Sequence, residues 1–115
     1  MILANSENAD LITKSLQGQK RLREKLRAVD ATNLEQEDLA DYTFCVNKNF
    51  LAIKRIETQE IDILIAKMRE NENEIKNGIE NLKEIIDKIN EQVSIFNFID
   101  RIIAITVRIA RIFTP

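Results

Sequence analysis

Hydrophobic residues recur along most of the chain at intervals of three or four, the spacing that places them on one face of an α-helix. The first such stripe runs through residues 12–29 and is interrupted at Gln19. Ser6 stands just before two acidic residues, as an N-cap would, and carboxylates are favourable in a first helical turn. The pattern predicts a first helix over residues 7–29.

A longer stripe predicts a second helix over residues 33–70. Thr32 and Glu35 stand in the S/T-x-x-E relation of a capping box, which is typical of a helix N-terminus. Apolar residues then recur almost to the end of the segment, with one five-residue gap after Ile56. No strand-like alternation competes with the helical pattern over this length.

A polar stretch separates this helix from a third predicted helix over residues 75–113. Residues 69–78 contain three Asn and Gly78, which favour a turn near residues 71–74, although a solvated part of one continuous helix has a similar composition. The apolar residues that follow fit a heptad pattern over three heptads, which is equally typical of a coiled coil and of a bundle helix. The heptad positions are Ile75, Ile79, Leu82, Ile86, Ile89, Val93 and Phe96.

These elements predict a single all-α domain, with an antiparallel hairpin of two long helices and a shorter N-terminal helix packed on one end. The chain has only two Gly and one Pro, so few turns are expected. A turn near residues 71–74 would place Phe50 beside Phe96 and Cys45 beside Ile102. The same pairing would bring Arg108 to Asp38 and Arg111 to Glu35.

The apolar C-terminal segment has three possible roles. It cannot span a bilayer, because four charged residues interrupt it and each costs about 2.5–3.5 kcal/mol at a membrane centre. It could lie at a membrane surface or against a partner, but the hairpin favours burial in the protein's own core. The candidate membrane or partner face consists of Phe96, Phe98, Ile99, Ile102, Ile103, Arg108 and Arg111.

The composition argues against catalysis and metal binding. The chain has no His, which removes the commonest general base and the commonest metal ligand. It has no phosphate-binding loop, and we expect no cofactor. The single cysteine cannot form an intrachain disulfide, and "MILANSENAD" lacks the features of a signal peptide, so a cytoplasmic location is expected.

Charge is segregated near the N-terminus. Residues 14–27 carry a net charge of +5 and residues 30–41 carry −5, although the whole chain is only −2. We expect these two segments to face each other, with Arg23 and Arg27 near Glu37 and Asp38, and we expect no nucleic-acid partner.

The apolar stripes of the two long helices predict self-association, most simply as a dimer. The expected core or oligomer interface consists of Ile61, Leu64, Met68, Ile75, Ile79, Leu82, Ile86 and Ile89. The leading functional hypothesis is a small, non-enzymatic helical protein that oligomerises and binds an unidentified protein partner. A peripheral membrane or pore-forming protein that uses residues 95–113 is the alternative, and a nucleic-acid accessory protein ranks third.

Overall fold

Five α-helices and two short 3-10 helices make up most of the protein, and the all-α class is confirmed. The computed structural model describes the backbone of residues 2–115 and the side chains of residues 7–115, and no strand occurs in this range. The α-helices are α1 (Ile2–Arg27), α2 (Gln36–Thr58), α3 (Ile61–Glu70), α4 (Glu72–Lys88) and α5 (Ile99–Ile112). The 3-10 helices are Ala31–Asn33 and Ile95–Asn97.

Helices α1, α2, α4 and α5 form a four-helix bundle, and the whole molecule is elongated, measuring 51 × 25 × 18 Å. Around the bundle α1 contacts α2, α2 contacts α5, α5 contacts α4, and α4 returns to α1. The hydroxyl of Tyr42 donates to the carbonyl of Leu26 at 3.0 Å, and the amide of Asn49 donates to the carbonyl of Gln19 at 2.8 Å. Helices α1 and α2 are therefore antiparallel.

Helices α2 and α5, which make the most extensive pair, run in the same direction. Cys45 shares a core cluster with Ile102, whereas ten residues further along α2 the guanidinium of Arg55 donates to the carbonyl of Ala110 at 2.6 Å. The predicted antiparallel alignment of these segments is therefore wrong. Phe50, the expected neighbour of Phe96, belongs to neither core cluster and is 64% exposed.

The direction differs because each predicted long helix is divided, and the first break falls at the five-residue gap in the apolar stripe. Gln59 and Glu60 adopt extended backbone conformations between α2 and α3. The Gln59 amide donates to the carbonyls of Arg55 and Phe113, and its oxygen accepts from Lys67. Helix α3 thereby crosses one end of the bundle. It connects α2 to α4, which lies diagonally opposite α2 in the bundle.

The second break divides the predicted helix 75–113 at residues 89–98. The Asn90 side chain accepts from the backbone N–H groups of Gln92 and Val93 at 2.8 and 2.9 Å, and the Ser94 hydroxyl accepts from that of Phe96 at 3.1 Å. Such local bonds offer the backbone an alternative to helix. The heptad pattern therefore continues through Val93 and Phe96 although the helix does not.

Helix starts also differ from their predicted positions. The backbone N–H of Thr32 donates to the carboxylate of Asp30 at 3.0 Å, so Thr32 lies in a 3-10 turn and does not cap α2. Helix α2 begins at Gln36, and Glu35 is its N-cap without a side-chain hydrogen bond. Ser6 lies within α1 and is not its N-cap, and its side chain falls outside the described residues. Helices α3 and α4 meet at Asn71, where the turn was predicted.

The bundle has two apolar clusters. The cluster beside α3 contains Ile12, Ala52, Ile56, Leu64, Met68, Ile75, Ile109, Ala110 and Phe113. The cluster at the other end contains Leu22, Leu26, Cys45, Leu82, Ile85, Ile86, Ile95, Ile99 and Ile102. Between them along the helices lies a set of buried polar side chains, here called the polar layer: Ser15, Gln19, Asn49 and Thr106.

Candidate interaction surface

The outer side of α2 carries an exposed stripe with no charged residue over about three helical turns. We call this stripe the α2 face, and it consists of Leu39, Ala40, Thr43, Phe44, Asn47 and Phe50. Phe50 is 64% exposed, Phe44 46% and Leu39 42%. Large apolar side chains grouped on one exposed helix face are typical of an interaction site, whereas scattered ones are ordinary.

The α2 face is exposed because the bundle already occupies the other side of α2. Cys45, Asn49 and Ala52 are buried against α1 and α5, and the α2 face lies opposite these positions on the helix. The ammonium group of Lys48 lies 5.3 Å from the centre of the Phe44 ring, a cation–π contact that holds one edge of the face.

The two ends of α2 carry opposite charges. Residues 35–41 contain four acidic and no basic residues, and residues 48–58 contain three basic residues and one acidic residue, Glu57, which is paired with Lys20. Lys54 and Glu37, both exposed, make no ion pair with any described residue. The α2 face therefore lies between an acidic and a basic region, in which Glu37 and Lys54 can meet another surface.

The polar layer is held by hydrogen bonds among three helices. The Asn49 amide donates to the Gln19 carbonyl at 2.8 Å and to the Gln19 side-chain oxygen at 3.0 Å. The Gln19 amide lies 3.5 Å from the Thr106 hydroxyl, a long hydrogen bond. The buried hydroxyl of Ser15 has no partner in the described part of the chain. In the sequence, only the interruption of the first apolar stripe at Gln19 pointed to this layer. Asn49 and Thr106 are polar residues at core positions of their helices, and their burial was not predicted from the sequence.

A groove of about 500 Å³ lies between α1 and α4. Its lining combines apolar side chains with basic ones, but three of the basic groups have carboxylate partners in this structure. The ion pairs are Lys14–Asp10 at 3.1 Å, Lys76–Glu72 at 2.9 Å and Arg21–Asp87 at 2.8 Å. The Arg21 guanidinium lowers the pKa of Asp87, and the Glu72 carboxylate raises the pKa of Lys76. The groove therefore offers little net charge to an anionic ligand.

The predicted pairing of Arg23 and Arg27 with Glu37 and Asp38 is not among the ion pairs of the described residues. Arg27 instead contacts Glu24 within α1 at 3.1 Å. The reason is the register of α1 and α2: Leu26 already lies beside Tyr42, so the first turn of α2 extends beyond the end of α1.

Most of the predicted oligomer interface is core within a single chain. Leu64, Met68, Ile75, Leu82 and Ile86 are buried, Ile79 and Ile89 are half-buried, and only Ile61 is well exposed, at 53%. Most of these residues are buried because α1 packs along both α3 and α4 and covers their apolar sides.

The C-terminal segment packs into the core, which the sequence favoured. Ile99 and Ile102 are buried, Phe96, Phe98 and Ile103 are half-buried, and Arg108 and Arg111 are exposed. The predicted contacts of the two arginines with Asp38 and Glu35 do not form, because parallel packing puts the end of α5 beside the end of α2. Within residues 2–115 no helix is long and apolar enough to cross a membrane.

The described residues contain no group of three or more His, Cys, Asp or Glu side chains arranged to hold a metal ion. Cys45 is fully buried, and burial raises the pKa of its thiol to about 12.

No protein-family model, curated protein or solved structure matches this chain.

Proposed function

We propose that this chain is a small, non-enzymatic helical interaction protein that oligomerises and binds a protein partner through the α2 face. The observation that carries the proposal is the uncharged exposed stripe with two phenylalanines, on a chain in which 31% of residues are charged. A cytoplasmic location, which the single cysteine favours, belongs to the same proposal.

The energetic argument rests on Phe44 and Phe50. Removing apolar surface from water gains about 25 cal/mol per Å², and aromatic side chains near the middle of an interface often dominate binding. Both rings lie on the same helix face. Their own chain leaves Phe50 64% exposed and Phe44 46% exposed. A partner can therefore gain from covering them without any rearrangement of the bundle.

The two other functional hypotheses have less support. A membrane-associating function through residues 95–113 requires Ile99 and Ile102 to leave the core, so α5 must first detach from α2. A nucleic-acid function through the basic segment of α1 competes with the ion pairs that Lys14, Lys20 and Arg21 already make.

The test is site-specific photo-crosslinking in the native cell. A benzophenone amino acid at position 50 should give discrete covalent adducts with protein. The same group at Glu84, an exposed residue of α4, the helix diagonal to α2, is the control and should give far weaker adducts. Equal labelling from the two positions, or no adduct from position 50, would remove the α2 face as a docking surface.

A further inference from the structure

We infer that the partner of the α2 face is a second copy of this chain, with the two α2 helices packed antiparallel about a two-fold axis near Asn47. This inference rests on the proposed function and names its partner. Symmetric pairing of one face with itself is the commonest form of association in soluble homodimers.

The positions of the aromatic residues fit this symmetry. Phe44 and Phe50 each lie three residues from Asn47, in opposite directions along the helix. In an antiparallel pair centred there, Phe50 of one copy lies at the same level as Phe44 of the other, on the opposite edge of the contact, so that four rings flank the axis. Asn47 meets Asn47 of the second copy at the axis, where one amide can donate to the other.

The charges select the antiparallel arrangement. It places the acidic residues 35–41 of each copy across from residues 53–59 of the other, which contain Lys54, Arg55 and Glu57, whereas a parallel pair would put the four carboxylates of residues 35–41 together. Lys54 of one copy then falls within about one turn of Glu37 of the other, which is within reach of a lysine side chain. Neither residue has an ion pair with any side chain of residues 7–115 of its own copy.

The length of α2, of which the α2 face is about half, sets an upper limit on the contact area and hence on the affinity. Helix α2 has 23 residues, hence is about 35 Å long, and a contact strip about 10 Å wide buries roughly 350 Å² per copy. Stable interfaces bury about 800 Å² per partner, so this pairing belongs to the weak class. We expect a dimer that dissociates in the range of tens to hundreds of micromolar.

Sedimentation equilibrium between 10 µM and 1 mM measures this directly, at about 50 mM salt. Phe50→Ser should weaken dimerisation at least tenfold. Ile63→Ser is the matched control, because Ile63 is another exposed apolar residue, 45% exposed, and lies on α3. Both positions are on the surface, so circular dichroism and thermal unfolding of dilute samples should show folded monomers.

Charge reversal tests the antiparallel order. Lys54→Glu and Glu37→Lys should each weaken the dimer, by roughly fivefold, since each creates two like-charge contacts. The double variant restores opposite charges across the axis and should recover most of the affinity. Failure of that rescue overturns the antiparallel register.

Two results overturn self-pairing altogether: a wild-type chain that stays monomeric at 1 mM, or a dimer that Phe50→Ser leaves unchanged. A monomer that still gives adducts from position 50 with other proteins overturns this inference and leaves standing the proposal that the α2 face binds a protein partner. Absence of every adduct from position 50 in the cell, including one with a second copy, removes the proposed function even if the purified chain dimerises.

Discussion

Asn49 donates two hydrogen bonds from its side-chain amide to Gln19, one to the backbone carbonyl at 2.8 Å and one to the side-chain oxygen at 3.0 Å. Both residues are almost fully buried, so a shift of α2 along α1 by one turn would leave these groups without partners and away from water. The pair therefore favours one register between two helices whose apolar surfaces alone would tolerate several.

The polar layer should respond unequally to alanine substitution. Asn49→Ala leaves the Gln19 side-chain oxygen buried without its donor, and we expect the free energy of unfolding to fall by about 1–3 kcal/mol. Ser15→Ala is the matched comparison, because the Ser15 hydroxyl is buried with no partner in the described structure. Removing this hydroxyl should leave the free energy of unfolding unchanged or raise it. Denaturant unfolding of both variants measures the difference, and equal losses would contradict the assigned hydrogen bonds.

The two glycines should be replaceable with a gain in stability. A methyl group on Gly18 would lie 3.6 Å from Leu82, and one on Gly78 would lie 3.6 Å from Ile105 and Ile109, which are ordinary contacts. Neither glycine has a positive φ. Since alanine favours helix over glycine by about 0.8–1 kcal/mol, Gly18→Ala and Gly78→Ala should each raise the free energy of unfolding by roughly 0.5–1 kcal/mol. A lower melting temperature in either variant would mean that the helices pack too closely at that glycine to accept a methyl group.

Cys45 should be unreactive in the folded protein. Its side chain is fully buried, and burial raises the pKa of the thiol from 9.0 to about 12, so little thiolate forms and none is accessible at neutral pH. A thiol reagent should modify Cys45 only when the protein unfolds, so the rate of modification should rise with denaturant concentration. Rapid stoichiometric labelling in native buffer would show that the core cluster around Cys45, at the end away from α3, opens readily.

The same thiol gives a pH dependence with a defined sign. The folded state holds the proton to higher pH than the unfolded state, so this contribution to stability is complete below pH 9.0 and is lost as pH rises towards 12. Wild-type protein should therefore lose stability between pH 8 and 10.5 more steeply than Cys45→Ala. Parallel slopes in denaturant titrations would contradict a buried thiol.

The parallel packing of α2 and α5 can be measured with spin labels in a Cys45→Ala background. Labels at Thr58 and Arg111, both exposed, should lie within about 20 Å, because both are at the end of the bundle near α3. Labels at Glu35 and Arg111 should be roughly 35 Å apart, the length of α2. An antiparallel hairpin would reverse the two distances, and dilution with unlabelled chain excludes contacts between copies.

Periodicity predicted the helical class well because it reports which side of a segment is buried. It does not report against which helix that side packs, which explains why Cys45 and Ile102 were correctly placed together while the direction of α2 and α5 was wrong. The decisive information lay in single side chains, Gln59 and Asn90, whose hydrogen bonds to nearby backbone groups end two helices without a Gly or Pro.

The α2 face could not be predicted for a different reason. Apolar residues are not confined to the interior, so Phe50 and Phe44 carry no sequence mark that distinguishes an exposed position from a core one. Only the packing of α1 and α5 on the opposite side of α2 shows that these rings remain outside.

The route of α3 across the end of the bundle has a kinetic consequence. The two helices in the most extensive contact are joined by bonds such as Arg55–Ala110, whose residues are 55 positions apart, and α3, α4 and the 89–98 loop lie between them along the chain. Contacts between residues distant along the chain lower folding rates, because the entropy of closing a long loop is lost before the contact forms. This bundle should therefore fold more slowly than one of equal length in which every helix packs on its immediate successor, with the α1–α2 pair ordering before the α2–α5 pair.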